Sequence, residues 1–376
     1  MERILILITS LDRGGAETMI MNYYRHMDRS KVQFDFLVNR PKKGAYEEEI
    51  LNLGGRIYRM GPMYPLQFHK YKRDFRNFLR QHPEYRIIHS HLEERSYFPL
   101  RIAKEENIPV RIAHAHNEYT GFDAKTMFRD YFRLRLRPYP THRFACSKTA
   151  GLWLYGSAAV DNEGIQIIPN AIEGSSYTYS SEIRGRIRSS LGISDDTLLI
   201  GNVGRLAPQK NQMFLLDVLK MVLNKGVNAK LMIVGSGDLH DSLVQKATDL
   251  GILHNVILTG SVPNVPDYLQ AMDLFAFPSL YEGLGMALIE AQASGLPAIA
   301  SSTVPTSANI SNTVQYLPVT DSHIWANAIA QIPVGTRNTV QKDMLSSNNY
   351  EITEEANKLQ DFYLTSVQDD AQTTLV

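Results

Sequence analysis

Short apolar runs rich in β-branched residues recur along this chain between longer stretches of helical periodicity. This alternation constrains the fold more than any other feature. In the first half the strand candidates are Ile4–Thr9, Val32–Val38, Arg86–Ser90, Val110–His114, Arg143–Cys146 and Ile165–Ile168, with helical patterns at Ala16–Met27, Tyr71–Gln81 and Ser96–Glu106. The rhythm lapses over Glu173–Ser181, a Ser-, Tyr- and Gly-rich stretch. It restarts with Leu198–Val203, Lys230–Val234, Val256–Thr259, Leu274–Pro278 and Pro297–Ala300. Such alternation builds parallel sheets covered by helices on both faces. The expected fold class is α/β, with two doubly wound Rossmann-like domains facing across a cleft and ligands bound beyond the carboxyl ends of the strands. The boundaries read as 1–172 for the first domain, 173–195 for a linker, 196–350 for the second domain and 351–376 for a terminal segment. In that segment Ala356, Leu359, Phe362 and Tyr363 share a helical face, and Gln368–Val376 reads as a loose polar tail.

A length of 376 residues suits two domains of roughly 100–200 residues each. With 44% hydrophobic and 21% charged residues the chain is not disordered. Cys146 is the sole cysteine, which excludes a disulfide framework and multi-cysteine metal sites. Apolar runs such as Ile4–Ile8 are too short to span a bilayer and end too soon, at Asp12-Arg13, for a signal peptide, so the expected location is cytoplasmic. Charge is uneven: 27 basic against 19 acidic residues through position 170, and 12 against 20 beyond it. A basic first half points to an anionic partner, unless the difference is only a variation in solvated surface.

Several stretches carry residues suited to chemistry. Gly14 and Gly15 close the first strand–helix turn, where a ligand can approach the backbone and helix amides can face an anion; tight turns without a ligand use the same pair. Arg205 follows a strand and Lys210 lies at the start of the next helix. A planar fork and a point charge can together neutralise a diphosphate, or they are two solvated loop cations. No Asp-x-Asp pair occurs, so metal-assisted neutralisation lacks its usual ligands. In Pro278–Ala291, Glu282 ends a loop, and Gly283, Leu284, Gly285 and Met286 lead into a helix whose first amides can meet an anion. Glu290 sits inside that helix on an apolar stretch, where a carboxylate needs a partner. The two hydroxyls of a ribose would serve, and so would a structural cation; Glu282 could equally be a helix cap. His89, His91, His114 and His116 follow two strands without an accompanying cysteine or carboxylate set, so no metal site is expected.

Together these segments resemble the GT-B-fold retaining glycosyltransferases of family four, in the branch that builds capsular polysaccharide or exopolysaccharide. The resemblance spans nearly the whole chain. It includes Gly14-Gly15-Ala16-Glu17, His114-Ala115-His116-Asn117, Ala145-Cys146-Ser147-Lys148, Ile168–Glu173, Arg205…Lys210, Ile233–Gly237 and Glu282-x7-Glu290. The resemblance implies a role for each matching residue. Arg205 and Lys210 bind the donor diphosphate, and Glu290 holds the ribose. Glu282 and the amides of Gly283, Leu284, Gly285 and Met286 face the sugar. His116 positions the donor sugar and supports charge in the transition state, and Gly15 lies against the donor phosphates or the acceptor. The terminal helix returns to the first domain. One departure is that Ala291–Thr320 contains no acidic residue, where relatives often have one.

The reaction implied is metal-independent, retaining transfer of a hexose from a nucleotide sugar, read as UDP-linked, to a hydroxyl of a growing lipid-linked polysaccharide. The donor is a substrate, and no cofactor is expected. Double displacement would need a placed nucleophile, and none is identifiable, so the implied route is front-face transfer. A UDP-sugar 2-epimerase-like isomerase of similar fold and a non-catalytic glycan-binding subunit are the rival readings. Arg129, Arg133, Arg135, Arg137 and Arg143 lie among Tyr131, Phe132, Leu134 and Leu136, and a second basic group runs through Lys70, Lys72, Arg73, Arg76 and Arg80. Such helices can rest on anionic lipid, so peripheral membrane contact is expected. Nucleic acid is not an expected partner, because no recognition motif accompanies the charge.

Overall fold

A computed structural model describes residues 1–63, 67–117, 126–157, 164–340 and 343–373, with the backbone alone for 368–373. The chain forms two compact units, Met1–Ile172 with Asn349–Val376, and Glu173–Asn348.

The first unit is built on β1 (Glu2–Ile8), β2 (Val32–Val38), β3 (Ile57–Arg59), β4 (Ile87–Ser90), β5 (Val110–Ala115), β6 (His142–Ala145) and β7 (Ile165–Ile167). All pair in parallel, in the order β3-β2-β1-β4-β5-β6-β7. Strand β1 shows why. Ile4, Ile6 and Ile8 enter one core with Phe34, Phe36 and Tyr24, while Leu5 and Leu7 enter the opposite core with Phe75, Tyr85 and Ile88. Side chains alternate across a strand, so a run apolar at every position must be covered on both faces.

Helix α1 (Gly15–His26) covers one face and α2 (Phe68–Gln81) the other, while α3 (Thr126–Leu136) packs near the loop after β4. The second unit repeats the winding with β8 (Leu198–Val203), β9 (Ala229–Val234), β10 (Val256–Gly260), β11 (Leu274–Phe277), β12 (Ala298–Ser301) and β13 (Gln315–Leu317), ordered β10-β9-β8-β11-β12-β13. Strand order therefore reverses beside β1/β4 and beside β8/β11, and such reversals open the crevices where α/β sheets bind ligands.

The edge strands β3 and β13 escape the sequence reading, because three residues are too few to show a period. The expected linker 173–195 is not a bare connector. It contains α4 (Ser181–Ser190), which belongs to the second unit and is fastened by two guanidinium groups to the buried Asp273: Arg184 at 2.6 Å and Arg188 at 3.2 Å. Helix α5 (Gln212–Asn224) follows a 3₁₀ turn that carries Lys210, and α6 (Met286–Ala293) follows β11.

The terminal helix α7 (Ile352–Thr373) packs in the first unit, where Tyr363 meets Phe34 edge-on at 5.9 Å. It continues through residues 368–373, expected to be a loose tail. Its acidic residues also correct the charge picture, leaving the first unit with 28 basic against 25 acidic residues and the second with 11 against 14.

Candidate active site

Both switch points carry the residues singled out from sequence. At β8/β11, the loop after β8 and the loop after β11 are stitched together. Leu280 N–H donates to the Gln209 carbonyl at 2.8 Å, Gln209 Nε2 to the Tyr281 carbonyl at 2.9 Å, and Asn211 Nδ2 to the Pro278 carbonyl at 3.3 Å. Below them Gln212 donates to the Arg205 carbonyl at 3.1 Å, and Asn202 donates to the Ala276 carbonyl at 2.8 Å. None of Asn202, Gln209 and Gln212 stood out in the sequence, since a single amide at the end of a strand, in a turn or at the start of a helix carries no periodic signal.

This stitching brings Lys210 to Glu282, with Nζ to Oε1 at 2.5 Å and the ammonium over the Phe277 ring at 5.3 Å. Arg205 is exposed. Gly285 is left-handed at φ 89° and precedes α6, whose first turn has no side-chain cap; a Cβ there would stand 3.0 Å from the Phe277 ring. The positive φ favours glycine, and any Cβ would also crowd the Phe277 ring. Gly283 has open space around it.

Glu290 lies one turn into α6, and burial raises its carboxyl from 4.5 to about 7, against the opposing pull of a hydrogen bond from the Tyr177 hydroxyl. Its partner is thus a phenol from the expected linker rather than a cation. One donor leaves a carboxylate with further acceptor capacity.

At β1/β4, a cavity of about 250 Å³ is lined by Ile8, Thr9, Gly15, Ala16, Glu17, His91, Glu93, Arg95, His116, Asn117 and Asn170. Gly15 and His116, predicted from sequence, thus share one cavity; Glu93 went unnoticed. The four histidines form a hydrogen-bonded stack. The Tyr363 hydroxyl is 2.6 Å from His89 Nδ1, His89 Nε2 is 3.0 Å from His114 Nδ1, and His91 Nδ1 is 2.7 Å from His116 Nε2. Burial lowers every one of these imidazoles below the usual 6.5, His116 to about 3, so the rings are neutral at physiological pH. His116 thus offers the cavity a neutral dipole rather than a cation. His89, His91 and His114 bring nitrogen atoms within 4.8 Å of one another, yet both nitrogens of His89 are already engaged.

Residues 13–175 match Glycosyltransferase Family 4, and residues 183–332 match Glycosyl transferases group 1. EpsF of Bacillus subtilis (strain 168), named as a glycosyltransferase, is 33% identical over 379 residues, covering 98% of this chain and 98% of EpsF. The chain belongs to glycosyltransferase family 4. This glycosyltransferase is also 24% identical to CapH of Staphylococcus aureus, a capsular polysaccharide biosynthesis glycosyltransferase, over 97% of this chain and 99% of CapH. Among solved structures, Anabaena HepE in complex with UDP and glucose matches with a TM-score of 0.71 at 19% identity, over 100% of this chain and 99% of HepE. The fold of this family 4 glycosyltransferase is accordingly GT-B.

Proposed function

We propose that this glycosyltransferase moves a hexosyl group with retention from a UDP-sugar to a hydroxyl of a growing, lipid-linked polysaccharide, at the cytoplasmic face of the membrane and without a metal. The observation that carries the reading is the second switch point, where Arg205, Lys210 and Glu282 lie in the loops after the adjacent strands β8 and β11, and α6, which follows the second loop, carries Glu290 paired with Tyr177. Lys210 and Arg205 supply the positive charge for a diphosphate, and the amides at Gly283, Leu284, Gly285 and Met286 add partial charge. Glu290 accepts from ribose hydroxyls, and Glu282 faces the reacting sugar. His116 positions the donor sugar and supports charge in the transition state, and Gly15 lies against the donor phosphates or the acceptor. The UDP and glucose bound to HepE support the donor class, and the polysaccharide role of CapH supports the acceptor class.

Lipid attachment of the acceptor is supported by α3. Its Met127, Tyr131 and Leu134 are 76%, 51% and 55% exposed, and the Arg135 guanidinium lies 5.1 Å over the Tyr131 ring. An apolar, cationic helix face of this kind suits an anionic membrane surface. The basic run on α2 is less available, since Lys70, Arg76 and Arg80 are ion-paired with Asp74, Glu105 and Glu106. Among the described residues no helix is long and apolar enough to cross a membrane.

The test is UDP release from UDP-glucose and UDP-galactose, with and without a lipid-linked saccharide, in excess EDTA. Release that depends on the acceptor and survives EDTA is expected. A strict need for Mg²⁺ or Mn²⁺ would overturn the phosphate assignment, and an isomerised UDP-sugar formed without acceptor would establish the epimerase instead.

A further inference from the structure

Four buried polar atoms without a hydrogen-bond partner among the described residues belong to residues lining the first unit's cavity: Glu93 Oε2, His91 Nε2, His116 Nδ1 and Asn170 Oδ1. Buried polar groups are normally satisfied, so four such atoms around one space indicate a polar occupant. The cavity, at about 250 Å³, holds several waters at roughly 30 Å³ each, or one sugar ring with its hydroxyls.

Glu93 organises this place. It is 5% exposed and adopts φ 53°, a left-handed conformation unfavourable for a glutamate. Strain of that kind persists where the surroundings enforce it, and it clusters at functional sites. Its Oε1 accepts from the backbone N–H of His116 at 2.9 Å, the backbone N–H of Asn117 at 3.1 Å and Asn117 Nδ2 at 2.9 Å. One carboxyl oxygen thus fixes the turn after β5 that presents His116, and the other oxygen has nothing to bind.

We propose that Glu93 is a binding and positioning residue for the sugar ring at this cavity, Oε1 holding the His116–Asn117 turn while Oε2, as a carboxylic acid O–H, donates to a sugar oxygen. The proposal rests on the sugar-transfer reading above and adds a residue and its protonation state to it. An ionised Oε2 with no donor is the costly alternative in a buried site. Consistent with the neutral form, burial raises the Glu93 carboxyl from 4.5 to about 8 despite the three donors.

The groups around Glu93 do not reverse this. His91 and His116 are neutral, and Cys146 is raised to about 12. Burial also raises Tyr155 above its usual value, and it raises the carboxyls of Glu94 and Glu17. Arg95 and Glu17 are the other ionisable groups on the cavity wall. The sugar belongs either to the donor or to the acceptor, and kinetics separate the two sources.

The experiment compares wild type, Glu93→Gln and Glu93→Ala for UDP release from UDP-glucose or UDP-galactose between pH 6 and 9, with melting curves as a control. Glutamine keeps an acceptor for the turn and a donor for the sugar. Glu93→Gln should therefore lack the fall in rate that wild type shows above about pH 8, whatever its rate at pH 7. Glu93→Ala should raise KM at least tenfold, for the donor if the ring is the donor's and for the acceptor otherwise. Carboxyl-¹³C-glutamate spectra, with the Glu93 resonance identified by its loss in Glu93→Gln, should shift on adding millimolar glucose or galactose. Wild type and Glu93→Gln with superimposable pH profiles, or unchanged KM values in Glu93→Ala, would overturn the proposal. If no UDP-sugar is turned over, the sugar-transfer reading fails, and the spectra alone then decide the site, an unmoved resonance ruling it out.

Discussion

Lys210 and Glu282 are paired at 2.5 Å with side chains 20% and 8% exposed, and this contact changes the effect expected at Glu282. From sequence the two residues served different parts of the donor. Paired, each restrains the other, and a diphosphate must compete with Glu282 for the ammonium. Glu282→Gln should therefore bind UDP several-fold more tightly while turnover falls, because the carboxylate proposed to face the sugar is lost. Glu290→Gln should instead weaken UDP binding by about tenfold to a hundredfold, since charge-assisted hydrogen bonds from ribose are worth roughly 1.5–3 kcal/mol each. Calorimetry with UDP and a melting curve on each variant checks both. If the substitutions only lower the melting temperature, the carboxylates are structural. Both glutamates were legible because their spacing from Gly283 and Gly285 signals a loop leading into a helix. Tyr177 was not, since it lies in an aperiodic stretch and its meeting with Glu290 is made by tertiary packing alone.

At the scale of elements, long periodic segments could be read and short or ion-anchored ones could not. Strands β1, β2 and β8 follow the sequence reading closely because continuous apolar runs admit few alternatives. Helix α4 has the opposite character: its SEIRGRIRSS sequence buries only Ile187 and Arg188, so its apolar pattern is weak. Asp273 supplies what the pattern lacks, accepting from Arg184, Arg188, the Leu199 N–H at 2.8 Å and the Gly335 N–H at 2.8 Å. Removing the acid leaves buried Arg188 without its charge partner, and breaking a buried pair on one side costs about 3–5 kcal/mol. Asp273→Ala should lower the stability of the second unit by that amount in denaturant titrations. A loss under 1 kcal/mol would mean that α4 is held by its apolar contacts instead.

For the whole molecule, buried titratable groups set opposite pH trends in the two units. In the first unit His89, His91, His114 and His116 bind protons less readily folded than unfolded. Stability is therefore lost as pH falls below 6.5, with up to about 1.4 kcal/mol per pH unit for each ring. Glu93 acts in the other direction. Its folded value near 8 exceeds the usual 4.5, so the unfolded state ionises first and stability falls as pH rises towards 8. At pH 6.5 the four half-protonated unfolded rings still outweigh the one carboxyl, and Glu93 prevails only above about pH 7, which places the first unit's maximum near pH 7. The second unit has Glu290, raised to about 7, and should lose stability between pH 4.5 and 7. Trp153 lies in the first unit and Trp325 in the second, so single-tryptophan variants can follow each unit's unfolding separately. With Trp325→Phe, the Trp153 signal should show a bell-shaped dependence on pH, and adding Glu93→Gln should abolish the decline between about pH 7 and 8 and steepen the acid limb below 6.5, leaving only the decline that Cys146 gives above about pH 9. A decline between pH 7 and 8 that persists in Glu93→Gln would show that another group carries it and that Glu93 is ionised in the folded protein.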